Sequence, residues 1–208
     1  MLKAEKVKTF GWMDAIRGMR NPLNSWDKMD SVVFAFDGDV KIGNNDLALM
    51  KKLVKAGTDH RKFLRMITVY MDITAPLYWW KEYDTYKVGT VANSCSTMHK
   101  ITAKEFRMDD FSHEHLCGTA DTALCHVVNV LNLYRGLYLG EDNPEVKKEH
   151  WWQLIQLLPS SYNQKRTVML NYEVLRNIYH ARRNHKLDEW KGLCAVIELL
   201  PYFEVLIA

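Results

Sequence analysis

Asn171, Asn177 and Arg182 are side chains whose chemistry is able to grip a ligand. A carboxamide offers donor and acceptor together, and a guanidinium offers five N–H donors in a planar fork. That fork matches a phosphate, or the edge of a pyrimidine ring, in two places at once. Asn171 and Arg182 are separated by close to three helical turns, so on one helix both leave nearly the same face. They stand about 16 Å apart along the axis, at 1.5 Å per residue. Asn177 points about 120° away and serves a different contact. Read for structure alone, Asn171 is a helix cap and Arg182 a solvated charge near a helix end.

A second polar group follows Gly89. Thr90, Asn93, Ser94, Ser96 and Thr97 form a small hydroxyl-rich loop that ends at His99-Lys100. Such a loop offers many donors without bulk, which suits a phosphate or a pyrimidine. An ordinary turn-rich loop has the same composition. Cys95 lies in this loop, and a thiolate there is able to add to a pyrimidine ring; the alternative is a small buried residue. The four cysteines show no CxxC spacing, which points to reduced thiols and away from zinc. His113 and His115 lack a third ligand at metal spacing, so no metal site is expected.

The elements that position these groups follow from pattern. Pro159-Ser160-Ser161 makes a turn, and Thr167–Leu170 is a short β-branched apolar run long enough for a strand. Asn171 then sits at an N-cap, Glu173 in the first helical turn, and Val174, Leu175 and Ile178 form the apolar stripe. Upstream, residues 13–20 read as a short helix ended by Asn21-Pro22. Residues 31–43 read as a hairpin or meander, with turn signals at Asp37-Gly38 and Gly43. Residues 46–56 form a helix ended by Gly57. Met66–Ile73 is a strand closed by Thr74-Ala75-Pro76, and 77–86 is an aromatic-rich helix. Longer helices span 121–139 and 144–158, with Trp152 outside the apolar stripe of the second. A last helix, 187–200, is stopped by Pro201.

The stretch from Leu157 to Trp190 is similar to the C-terminal third of the flavin-dependent thymidylate synthases: a leucine-proline turn, a strand, then Asn171, Asn177, Arg182 and Trp190 at matching positions. The resemblance implies that Asn171 and Asn177 line an FAD site and that Arg182 holds deoxyuridylate. A second stretch, from Ala75-Pro76, resembles the same family with departures. The family's Arg-His-Arg triplet falls on Thr85-Tyr86-Lys87, where only Lys87 keeps a positive charge, and its later arginine falls on Thr97 or Met98. Asn93 and Ser96 match the family's loop when one residue is inserted. Lys165 and Arg166 stand just before the strand where the family places a further nucleotide-binding arginine.

The cofactor-binding set implied is thus Asn171, Asn177 and Lys87. The substrate-binding set is Arg182, Lys165, Asn93, Ser94 and Ser96, with the catalytic residues left open. The implied fold is α/β, a mixed sheet flanked by helices in a single domain over 1–208. The implied chemistry is one-carbon transfer to a pyrimidine deoxynucleotide, with FAD, folate and NADPH as partners and a homotetramer as the assembly. The paired tryptophans, Trp79-Trp80 and Trp151-Trp152, add aromatic surface for such an assembly. The competing readings are a non-catalytic nucleotide-binding or structural oligomer that keeps the scaffold, and a related nucleotide-modifying enzyme using another one-carbon donor, both favoured by the missing arginines.

Composition bounds these readings without choosing between them. A chain of 208 residues, 48% apolar and 25% charged, supports one ordinary globular domain with a real core. A net charge of +3 is too small to argue for nucleic acid, but allows a local basic pocket. No apolar run reaches membrane-spanning length, and the start, MLKAEKVKTF, lacks the apolar core of a signal peptide, which places the protein in the cytoplasm.

Overall fold

Gly11 turns the first strand into the first helix. Its backbone takes φ +85°, and a Cβ there would meet the Met66 carbonyl oxygen at 2.2 Å, so a side chain is excluded on both counts. In the computed structural model, which describes residues 2–34 and 40–208, Gly11 joins β1 (Lys3–Phe10) to α1 (Trp12–Arg20). Next come β2 (Val32–Val33), β3 (Val40–Lys41), α2 (Asn44–Lys55), β4 (Thr68–Pro76) and α3 (Leu77–Tyr83). They are followed by β5 (Val91–Ser94), α4 (Thr97–Lys100), α5 (Thr119–Gly140) and α6 (Pro144–Leu157). The chain closes with β6 (Asn163–Asn171), α7 (Tyr172–Arg182), α8 (Asp188–Glu198) and α9 (Phe203–Leu206).

The main sheet runs in the order β1-β4-β6-β5, and β2 pairs antiparallel with β3, Val33 opposite Val40. The architecture is α/β, a sheet with helices, as expected. The Asp37-Gly38 turn expected in the hairpin lies outside the described residues. The chain divides into two compact units. One holds Ile73–Thr85 and Asn93–Arg166 with the chain's first residues; the other holds Ala4–Asp72, Tyr86–Ala92 and Thr167–Ala208.

The first unit is built on the α5–α6 hairpin. Leu124, Val128 and Leu131 of α5 and Leu154 of α6 bury against Ile101, Phe106 and Phe111. Burying each such side chain fully is worth roughly 1.5–3 kcal/mol. Pro144 at the start of α6 and the Asn143 side chain, which accepts from the Glu145 and Val146 N–H groups, fix where that helix begins. Trp79 and Trp80 do not supply oligomer surface as expected: they are 0% and 1% exposed. Trp79, Trp80 and Tyr83 pack on one another with centroids 4.8–5.2 Å apart, and Trp80 Nε1 donates to the Gln164 carbonyl at 2.9 Å. A short helix buried on several faces takes adjacent tryptophans inward, which an amphipathic stripe does not anticipate.

The second unit is tied by a buried ion pair. Arg20 Nε donates to Asp46 Oδ1 at 2.7 Å, while Asp46 Oδ2 accepts from the Asp30 and Ser31 N–H groups and the Ser31 hydroxyl. Asp30 in turn accepts from the N–H groups of Asn45 and Asp46, capping the start of α2 with a charge that suits the helix dipole. Tyr172 pins the start of α7: its N–H donates to Ile67 O at 3.0 Å, its hydroxyl donates to Pro201 O at 2.9 Å, and Trp12 meets its ring edge-on. No helix among the described residues is long and apolar enough to cross a membrane.

Candidate functional site

Sequence spacing places Asn171 and Arg182 on one face of α7, and in the second unit both reach the same short segment, Tyr86–Gly89. At one end the Asn171 side chain caps the helix, its oxygen accepting from the Val174 N–H at 3.0 Å, as expected. Its amide nitrogen donates to Gly89 O at 3.4 Å, a long bond. Gly89 sits at φ +72°, and a Cβ there would meet that amide nitrogen at 2.7 Å, so the approach requires glycine. At the other end Arg182 Nε donates to the Tyr86 hydroxyl at 2.9 Å.

The Arg182 guanidinium also lies 4.8 Å from the ring centroid of Trp190 and 5.8 Å from that of Tyr86, the two rings meeting at 67°. Cation–π contact of this kind is worth about 0.5–1 kcal/mol where solvent reaches it, and more where it does not. Trp190 is fully buried, so it is a fixed wall, whereas Tyr86 is half-buried. The result is an arginine whose position is set by three elements: α7, α8 and the segment before β5. A guanidinium oriented in this way is prepared to grip a phosphate or carboxylate with less rotamer entropy to lose.

Glu173, expected only as a first-turn charge, is buried and held by Arg61, whose Nε lies 3.0 and 3.1 Å from its two oxygens. Nothing in the sequence spacing marked Arg61, since the pair joins positions far apart in the chain.

Of the other expected ligand residues, Asn177 and Lys87 belong to the same unit. Asn177 is exposed on a different side of α7, and Lys87 is exposed within the Tyr86–Gly89 segment. Asn93, Ser94, Ser96 and Lys165 belong to the first unit. The expected polar loop around them is instead largely strand β5 and helix α4: exposed Asn93 and Ser94 end β5, and the Ser96 hydroxyl caps α4 by accepting from the His99 N–H at 3.0 Å. β-branched Val91 is the sequence signal for that strand, masked by its polar neighbours.

Lys165 and Arg166 lie inside β6 rather than before it. Arg166 packs its guanidinium 4.2 Å from the Trp80 ring centroid, binds Gln164 Oε1 at 3.0 Å and pairs with Asp84 at 2.8 Å. Cys95 is exposed; its N–H donates to Lys165 O and its carbonyl accepts from Gln164 Nε2. Among the described residues no group of three or more His, Cys, Asp and Glu side chains is placed to hold a metal ion.

No model of a known protein family matches the sequence, and no curated protein matches it either. Solved structures do. A flavin-dependent thymidylate synthase from Helicobacter pylori, determined with FAD and dUMP, superposes with a TM-score of 0.68 at 15% identity over 100% of this chain and 97% of its own. A second structure of a flavin-dependent thymidylate synthase from the same organism, complexed with FAD and dUMP, gives 0.67 at 15% identity over 98% of each chain. The fold is that of the flavin-dependent thymidylate synthases.

Of the residues assigned to FAD by resemblance, Asn171 bonds within its own chain and Asn177 and Lys87 are exposed. A flavin dinucleotide needs donors for its pyrophosphate and for the ring edge. The Asn171 carboxamide is engaged on both sides by Val174 and Gly89, while Asn177 and Lys87 are exposed and point from different elements. Tyr86, where the family's triplet has its histidine, is bonded to Arg182.

Proposed function

We propose that the chain binds a pyrimidine deoxynucleotide monophosphate on a thymidylate-synthase-type scaffold, with Arg182 as the anion-gripping residue. The observation that carries this reading is the setting of Arg182, held by the Tyr86 hydroxyl and flanked by the Tyr86 and Trp190 rings. An arginine serving only as a helix-end charge needs no such frame. Two solved structures of this fold contain dUMP, which supports a nucleotide of that class here. Lys165, Asn93, Ser94 and Ser96 of the first unit are substrate-binding candidates by resemblance alone, and the assembly is proposed to be a cytoplasmic homotetramer.

Binding without flavin chemistry is the form the site favours, because Asn171 is committed to its own chain and Lys87 is a single exposed point charge. One-carbon transfer to deoxyuridylate, with folate and NADPH as further partners, draws its support from the likeness to FAD-containing synthases. Calorimetric titration of the whole chain tests the proposal. Saturable binding of deoxyuridylate, with weaker binding of a purine deoxynucleotide, is expected. No binding of deoxyuridylate at millimolar concentration refutes it.

A further inference from the structure

Tyr86–Gly89 is bonded at both ends to the face of α7 that carries Asn171 and Arg182, and the two ends differ in strength. At Tyr86 the hydroxyl accepts from Arg182 Nε at 2.9 Å, and the ring stands edge-on to the buried Trp190 with centroids 5.8 Å apart. At Gly89 the carbonyl accepts from Asn171 Nδ2 at 3.4 Å, beyond the usual N–H···O range. Between them Lys87 is exposed and Val88 is 88% exposed, so Val88 adds no packing there. The Thr90 hydroxyl donates to Tyr86 O and closes the segment on itself.

Under the weak end lies a buried polar group. Asn171 is 7% exposed, and its amide nitrogen, with two N–H donors, has among the described residues that one long bond. A buried donor satisfied so poorly points to a group whose surroundings change in use. Glycine is what allows the segment to lie there: φ is +72°, and a Cβ at Gly89 would stand 2.7 Å from the Asn171 amide nitrogen. A side chain at 89 therefore lifts the Gly89 end while leaving the Tyr86 end in place.

We infer that Tyr86–Gly89 is a strap across the ligand face of α7, anchored at Tyr86 and latched at Gly89, whose latch opens to admit ligand to Arg182. The identity of that ligand, a pyrimidine deoxynucleotide monophosphate, rests on the nucleotide reading at Arg182; the opening of the latch does not. Opening breaks one long hydrogen bond between neutral groups, which places the strap at the low-stability end of the fold. The anchor has the opposite task, since Tyr86 orients the guanidinium. Releasing the latch thus raises the fraction of chains able to take ligand, whereas releasing the anchor weakens the grip. A rigid turn that only shaped the site would weaken binding from either end.

The test reads the strap with and without ligand, on the whole chain, with thermal unfolding confirming that each variant is folded. Without ligand, the rate of tryptic cleavage after exposed Lys87, followed by the mass of the 1–87 fragment, reports the open population. Gly89→Ala should be cut about threefold faster or more. So should Asn171→Asp, which keeps the oxygen that caps α7 but has no amide to give Gly89. Calorimetry with deoxyuridylate should then show about threefold tighter binding by Gly89→Ala and weaker binding by Tyr86→Phe. Unchanged cleavage in both latch variants overturns the strap. Binding by Gly89→Ala no tighter than that of the parent overturns its part in admitting ligand. Faster cleavage with no deoxyuridylate binding by any of the proteins overturns the nucleotide reading instead, and upholds the latch.

Discussion

Asp46→Ala should destabilise the protein severely, because it leaves Arg20 charged and buried with its carboxylate gone. Asp46 is 0% exposed and Arg20 4%, and the carboxylate accepts from Arg20 Nε, two backbone N–H groups and the Ser31 hydroxyl. Removing one partner of a buried ion pair costs about 3–5 kcal/mol, and the orphaned N–H groups of Asp30 and Ser31 add to it. A domain of this size has roughly 5–15 kcal/mol in total, so the melting point should fall by about 10 °C or more. Urea unfolding followed by tryptophan fluorescence measures the loss directly.

The pH dependence gives a second handle on the same pair. Burial alone would raise the Asp46 pKa, but the hydrogen bonds from Ser31 and Asp30 and the charge of Arg20 outweigh it, so it is lowered. A carboxylate with a depressed folded-state pKa contributes stability above its unfolded value, near 3.8, and loses that contribution as pH falls through the folded value. Asp46→Asn should therefore flatten the acid limb of the stability curve while lowering stability at neutral pH. An Asp46→Ala variant within about 1 kcal/mol of the parent, or an unaltered acid limb in Asp46→Asn, would refute the reasoning.

Two further outcomes follow from the site and the surface. Flavin fluorescence during titration of FAD at low salt should show no saturable binding, since Lys87 alone lacks the bidentate grip of an arginine cluster; saturable binding lost in Lys87→Ala would restore a flavin site. Light scattering at micromolar concentration should report the tetramer implied by the resemblance, with Leu133, Leu139 and Trp152 of the α5–α6 hairpin, 59%, 53% and 42% exposed, as apolar surface for it to cover; a monomer would count against that assembly.

The strand-to-helix passage around Asn171 was legible because its signals are local. A β-branched apolar run, a side-chain cap and a first-turn acid occur in sequence, and each acts within a few residues. The spacing of Asn171 and Arg182 likewise announced a common face. What the spacing could not supply was the partner: Tyr86 and Gly89 reach that face from far along the chain.

β1 went unread because KAEKVKTF is mostly polar, as an edge strand with little burial allows; the neighbouring β4 carries the apolar pattern instead, with Val69 and Met71 buried. α9 follows Pro201 too closely, and is too short, for periodicity to show. The buried pair of tryptophans on α3 was misjudged for the opposite reason, since a stripe assumes one wet face and α3 buries Trp79, Trp80 and Tyr83.

The most direct test of the central claim is the affinity of deoxyuridylate for the parent and for Arg182→Ala, measured side by side by calorimetry with both proteins shown to be folded. Loss of a charge-assisted contact from an oriented guanidinium costs about 1.5–3 kcal/mol, or roughly ten- to a hundredfold in affinity. Weakening of that size with unfolding little changed is the result expected of a nucleotide-gripping arginine. Unchanged affinity in Arg182→Ala, or no binding by the parent, would leave Arg182 as structure and contradict the claim.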